Sequence, residues 1–139
     1  MRFFDASILV KRYVREQGSA RVRRLLDVGG VAVARLSEVE VVSALARLAR
    51  GGGITTAQRD RAVAAFMDDL SAWTIVEVTP AVTNHARQLL LRHPLRSGDA
   101  IHLGSALMIQ ESVGAIEAFV AQDARLIRAA TSERIPLLK

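Results

Sequence analysis

Val31-Ala32-Val33-Ala34 is followed, after Arg35-Leu36, by Ser37-Glu38-Val39-Glu40-Val41-Val42-Ser43-Ala44-Leu45-Ala46-Arg47-Leu48-Ala49-Arg50, and then by Gly51-Gly52-Gly53. The first run is apolar throughout, with no polar alternation. That pattern reads as a strand buried on both faces. The segment from Ser37 to about Arg50 reads as a long helix stopped by the glycines. A strand covered on both sides and feeding a helix is the repeating unit of a helix-covered parallel sheet.

The same unit recurs outward in both directions. Residues 2–4 read as a short apolar strand, followed by helices over Ala6–Val14 and Ser19–Asp27 with Gly18 between them. Downstream come a helix from Thr56 to about Ala72, a strand over Thr74–Val78, and a helix from Pro80 to about Arg92 with proline in its first turn. Pro94 to Gly98 reads as a loop. A helix runs from Asp99 to about Gln110, a strand over Ala118–Ala121, and a helix from Ala124 to Ala130. Pro136-Leu137-Leu138 reads as a final edge strand. Strands alternating with helices along the whole chain predict a three-layer α/β/α sandwich with a mainly parallel central sheet. Its 139 residues suit one domain over 1–139 with one core.

Composition narrows the function classes. No apolar run is long enough to span a bilayer, and the start Met1-Arg2-Phe3-Phe4-Asp5 meets an acid too early for a signal-peptide core. A cytoplasmic location, with no membrane partner, is the expectation. The chain has no cysteine, which excludes disulfides, thiolate metal sites and a thiol nucleophile. The net charge is +5 and almost all of the positive side is arginine, a residue that grips phosphate oxygens in a bidentate way. An Ala/Val/Arg-rich compositional habit explains the same count. Aromatics are only 4 % of the chain, too few for a broad base-stacking platform.

Four acids stand in apolar surroundings. Asp5 ends the Arg2-Phe3-Phe4 strand, Glu40 lies among valines, Asp99 opens Ala100-Ile101-His102-Leu103, and Asp123 follows Ala118-Phe119-Val120-Ala121. An ionised acid in such a place is costly unless it is paired, hydrogen-bonded or bound to a cation. Each has a plain structural reading. Asp5 or Ser7 suits an N-cap, and so does Asp123. Ser37 and Glu40 match a capping box, and Asp99 suits the positive end of a helix. His102, three residues past Asp99, reads as a structural histidine more readily than as a ligand. Arg125 and Arg128 read as a solvated helix face. Asp5 and Asp123, however, both follow strands directly, and ligands of open parallel sheets bind beyond the carboxyl ends of strands.

Four segments together resemble the PIN-domain ribonucleases of the VapC toxin type: Phe4-Asp5-Ala6-Ser7, Glu40-Val41-Val42-Ser43-Ala44-Leu45, Leu95-Arg96-Ser97-Gly98-Asp99-Ala100-Ile101-His102-Leu103, and Phe119-Val120-Ala121-Gln122-Asp123-Ala124-Arg125-Leu126. The chain departs from that pattern at Gly98, where a larger residue is common, and at Gln122, where a small or polar one is. The resemblance implies a PIN-like α/β/α nuclease domain. It implies an acidic pocket for Mg²⁺ or Mn²⁺ made by Asp5, Glu40, Asp99 and Asp123, with Ser7 supporting Asp5. It further implies an RNA substrate, a small cognate VapB-type antitoxin whose tail lies beside the pocket, and a homodimer.

The chemistry expected is metal-assisted hydrolysis, with a water attacking phosphorus in line with the leaving oxygen. Asp5 and Asp99 are the expected main ligands. Asp123 serves directly or through water, and Glu40 as ligand or general base. Arg96 is a candidate RNA phosphate contact. The alternatives are a non-catalytic PIN-like protein- or RNA-binding module and a DNA-directed nuclease. Dehalogenase-like phosphoryl transfer fits poorly, because Asp5-Ala6-Ser7 lacks the second acid of an Asp-x-Asp pair.

Overall fold

The computed structural model describes residues 1–138. Its elements run β1 (Arg2–Phe4), α1 (Ala6–Tyr13), α2 (Ser19–Asp27), β2 (Val31–Ala34), α3 (Ser37–Arg50), α4 (Thr56–Ala72), β3 (Thr74–Val76), α5 (Pro80–Arg92), α6 (Ser97–Val113), β4 (Ala118–Val120) and α7 (Ala124–Ser132). The strands form one sheet in the order β3-β2-β1-β4, and every pairing is parallel. Phe3 is the pivot of the register, opposite Ala32 on one side and Phe119 on the other.

Successive residues of a strand point to opposite faces, and here both faces are buried. Phe3, Ala32, Ala34 and Phe119 pack with residues of α5, α6 and α7, including Leu89, Leu103 and Leu126. Phe4, Val31, Val33 and Val120 pack with residues of α1 to α4, including Leu9, Leu26, Leu45 and Phe66. This is the expected α/β/α sandwich. It also explains why the strand sequences are apolar without alternation.

Chain order and spatial order part company at β1. The chain steps outward through α1–α2 to β2 and through α3–α4 to β3. It then returns through α5–α6 to place β4 on the far side of β1. The crevice between the carboxyl ends of β1 and β4 is therefore the topological switch point, where such sheets bind ligands. Helix α6 packs closely on α5 at Gly104. A methyl group on Gly104 would stand 3.0 Å from the Val82 carbonyl oxygen and 3.2 Å from the Ala86 nitrogen.

Several local expectations need correction. Ser37 does not cap α3. The N-cap is Leu36, so Glu40 falls one position beyond the place from which a capping box closes. The Ser37 hydroxyl is buried without a partner, and the Glu40 amide is taken by the Leu36 carbonyl. The chain's capping box is instead at α4. There Thr55 Oγ1 accepts from the Gln58 amide at 3.0 Å, and Gln58 Oε1 accepts from the Thr55 amide at 2.8 Å. Helix α6 begins at Ser97 and runs to Val113, so Asp99 lies inside its first turn. The third strand stops at Val76, after which Glu77 pairs with Arg35 outside the sheet. The last segment adds one parallel bridge, Leu137 to Phe119, supported by a 2.7 Å bond from the Phe119 amide to the Pro136 carbonyl.

Candidate active site

Asp5 is placed by the end of β1. Its amide is still bonded to the Val120 carbonyl of β4 at 3.0 Å, so the two strand ends fix it jointly. As N-cap of α1 it accepts from the Ser7 amide at 3.3 Å and from the Ser7 hydroxyl at 2.5 Å, both through Oδ2. The residue is 3 % exposed. Asp123 repeats the arrangement after β4. Its Oδ1 caps α7 by accepting from the amides of Arg125 and Leu126 at 2.9 and 3.1 Å. The structural readings of these two acids were therefore sound, and they do not compete with a place in the site. Each cap uses one oxygen of the carboxylate.

Glu40 enters from the first turn of α3, and Asp99 from the first turn of α6. All four acids line one cavity of about 740 Å³. Burial pushes the Asp99 carboxyl above its ordinary value, and the negative charges of Asp5 and Asp123 push it further, against the weaker opposing pull of His102 and Arg96. Asp99 is thus half-buried among like charges, close enough to feel two of them.

The floor beneath them is His102, 0 % exposed. Its Nε2 is 2.6 Å from Glu40 Oε1 and 3.8 Å from Asp5 Oδ1. Burial alone would depress this imidazole. The bond to Glu40 and the charges of Asp5, Glu40 and Asp99 outweigh that and raise it above its usual value. Gly98 also faces this carboxylate: a methyl group there would lie 3.6 Å from Oε2 and 3.7 Å from Oε1.

The rim is basic. Arg96, expected from sequence, lines the cavity, as does Arg47, which sequence reading missed. A signal for Arg47 existed. Glu40, Ala44, Arg47 and Leu48 all line the cavity, and their spacing is that of a single helix face. Gln122 also lines the wall, beside Asp123.

The donor set suits a hard divalent cation: carboxylate oxygens with lone pairs to spare, and no thiolate. The neighbouring imidazole is turned to Glu40. Among the described residues, no group of three or more His, Asp or Glu side chains stands in an arrangement that could hold a metal ion. Asp5 is bonded to Ser7, Asp123 to the α7 amides and Glu40 to His102, each through one carboxylate oxygen.

Comparison with known proteins agrees with this architecture. The family model for the PIN domain matches residues 2–131. The chain is 39 % identical over 108 residues to Ribonuclease VapC45 and, at the same identity, to Ribonuclease VapC49, both of Mycobacterium tuberculosis. Each alignment covers 77 % of this chain and 75 % of the relative. In three dimensions it resembles VapC20 of M. tuberculosis, described as a sarcin-ricin loop cleaving toxin, with a TM-score of 0.67 at 18 % identity over 93 % of this chain and 95 % of that one. It also resembles a chain of a toxin-antitoxin complex from Klebsiella pneumoniae, with a TM-score of 0.63 at 17 % identity over 90 % and 88 %. A parallel sheet with its acids gathered at the switch point, a family match over nearly the whole chain and close VapC relatives lead to one conclusion: the chain belongs to the PIN-domain family and is of the VapC ribonuclease type.

Proposed function

We propose that the protein is a divalent-metal-dependent endoribonuclease, formed by a single PIN-like domain and acting in the cytoplasm as the toxin of a toxin–antitoxin pair. The observation that carries this reading is the meeting of Asp5, Glu40, Asp99 and Asp123 on one cavity, with the Asp99 carboxyl pushed up by burial and then by its acidic neighbours. The kinship with VapC ribonucleases supplies the substrate class. Among the described residues no helix is long and apolar enough to cross a membrane.

Mg²⁺ or Mn²⁺ would supply Lewis acidity toward a phosphate oxygen and toward the attacking water. Asp5 and Asp99 are its principal ligands in this reading. Ser7 holds Asp5 Oδ2 and so fixes which lone pairs face the cavity. Asp123 has Oδ2 free beside its cap, for direct or water-mediated contact. Glu40 has Oε2 free beside Gly98, where it either joins the ligands or takes a proton from the attacking water. Arg96 and Arg47 at the rim bring the phosphate backbone to an otherwise repulsive pocket. A small antitoxin is the protein partner, and a homodimer is the expected assembly.

The test uses purified protein free of antitoxin. It should cut RNA with Mg²⁺ or Mn²⁺, stop with EDTA, and prefer RNA in a direct competition against DNA of the same sequence. Undiminished cutting by Asp5→Asn or Asp99→Asn would refute the site. Preferred cutting of DNA would refute the substrate class.

A further inference from the structure

His102 presents an energetic oddity. The ring is completely buried on α6 between the sheet and the site. Its Nδ1 is buried with no hydrogen-bond partner among the described residues. Its one hydrogen bond is the 2.6 Å contact from Nε2 to Glu40 Oε1. A buried ring with an unsatisfied nitrogen costs stability relative to an apolar side chain of similar volume. Packing alone would favour such a side chain, and the next residue, Leu103, is also 0 % exposed. The imidazole therefore has to be explained by what it does to Glu40.

Glu40 needs an anchor. Its side chain is 41 % exposed, and a free glutamate in water samples many rotamers. No cap or arginine holds it. The ring takes Oε1, Oε2 has no hydrogen-bond partner among the described residues, and Gly98 sets no side chain against either oxygen. One carboxylate oxygen is pinned and the other is left for the cavity. Asp5 Oδ1 lies 3.8 Å from the same Nε2.

We propose that His102 is a positioning residue that presents Glu40 to the divalent cation and the attacking water, an assignment that rests on the nuclease reading above. Hydrogen-bond partners behind ligating groups typically contribute about 10–100-fold in metal affinity or activity. Glu40 would remain solvated if the ring were removed, and the buried Asp5 would keep its bonds to the Ser7 amide and hydroxyl.

The experiment is Mn²⁺ titration calorimetry, paired with thermal unfolding in EDTA, on the wild type, His102→Leu, His102→Gln, Glu40→Ala and the double variant His102→Leu/Glu40→Ala. The leucine variant should bind Mn²⁺ about 10–100-fold more weakly while melting no lower than the wild type. The glutamine variant, whose amide can donate from nearly the same place, should recover most of the loss. In the Glu40→Ala background, His102→Leu should cost nothing further. If the leucine variant does not fold, His102→Met replaces it. Wild-type affinity in the leucine variant would overturn the proposal, and so would an equal loss with and without Glu40. Both leave the nuclease reading standing. A wild type that takes up no Mn²⁺ and cuts no RNA would overturn that reading and this role together.

Discussion

Two groups of carboxylates in this molecule illustrate opposite solutions to the same problem. Glu133, at the end of α7, is bonded to Arg92 Nη2 at 2.7 Å and faces His93 Nε2 at 2.8 Å. Burial pushes its carboxyl up, but the bonds to Arg92 and His93 more than offset this and hold it below the ordinary range. Asp99 feels burial in the same direction and then meets Asp5 and Asp123, which push it higher still. One acid ties α5 to α7 and is at rest. The other is held in a place where it is uncomfortable unless a cation arrives. Burial does not separate the two. The sign of the neighbours does: cations hold Glu133 low, while acids push Asp99 high.

The contrast breaks most visibly in activity. Asp5→Asn and Asp99→Asn should each reduce RNA cleavage by at least about 10³-fold, the loss expected when a principal metal ligand goes. Asparagine caps a helix about as well as aspartate, so the circular dichroism spectrum of Asp5→Asn should match the wild type. Glu133→Gln should cut RNA at the wild-type rate and lose about 1–3 kcal/mol of stability at neutral pH, read by denaturant unfolding. Gly104→Ala should lose a similar amount, because its methyl group would press on the α5 backbone at 3.0 Å.

The pH dependence sharpens the comparison because the signs are opposed. The folded-state value of Glu133 lies below its ordinary 4.5, so its contribution is full above that value and is lost as pH falls through the folded value. The penalty of Glu133→Gln should therefore shrink in acid. The folded-state value of Asp99 lies above its ordinary 3.8, so stability falls as pH rises through the interval between the two and stays reduced above it. Asp99→Asn should then melt slightly higher than the wild type at neutral pH in EDTA, with no such gain in acid. The smallest expected effect is at the rim. Arg96→Ala should weaken RNA binding and flatten its salt dependence by about one unit of log–log slope, with little change in turnover.

The fold was largely legible because it rests on patterns that repeat: continuous apolar strands, helices bounded by glycine and proline, and one period shared by each helix face. The bounds of β1, β2, α3, α4 and α5 can be read from the chain. The ends that drifted are those set by tertiary contacts. Glu77 leaves the third strand for Arg35, and α6 begins early at Ser97. Three-dimensional convergence was only half legible. The parallel-sheet reading puts Asp5 and Asp123 at the ligand edge, but that β1 and β4 are neighbours came from the structure, and Glu40 and Asp99 needed either the resemblance or the structure. The partnership of His102 with Glu40 joins α6 to α3 across a long stretch of sequence, and local spacing carries no trace of it. The capping box at Ser37 failed for a related reason, because the helix starts where packing puts it.

The strand order also dictates when the site can exist. β1, made first, sits between β2 and β4, and Asp5 hangs its amide on the Val120 carbonyl. A chain growing on the ribosome holds Asp5, Glu40 and Asp99 long before β4 has been synthesised. Until Val120 and Asp123 emerge and add the far side of the sheet, the crevice has only one wall. Any nascent chain that stops short of Asp123 lacks one wall of the pocket and one of its four acids.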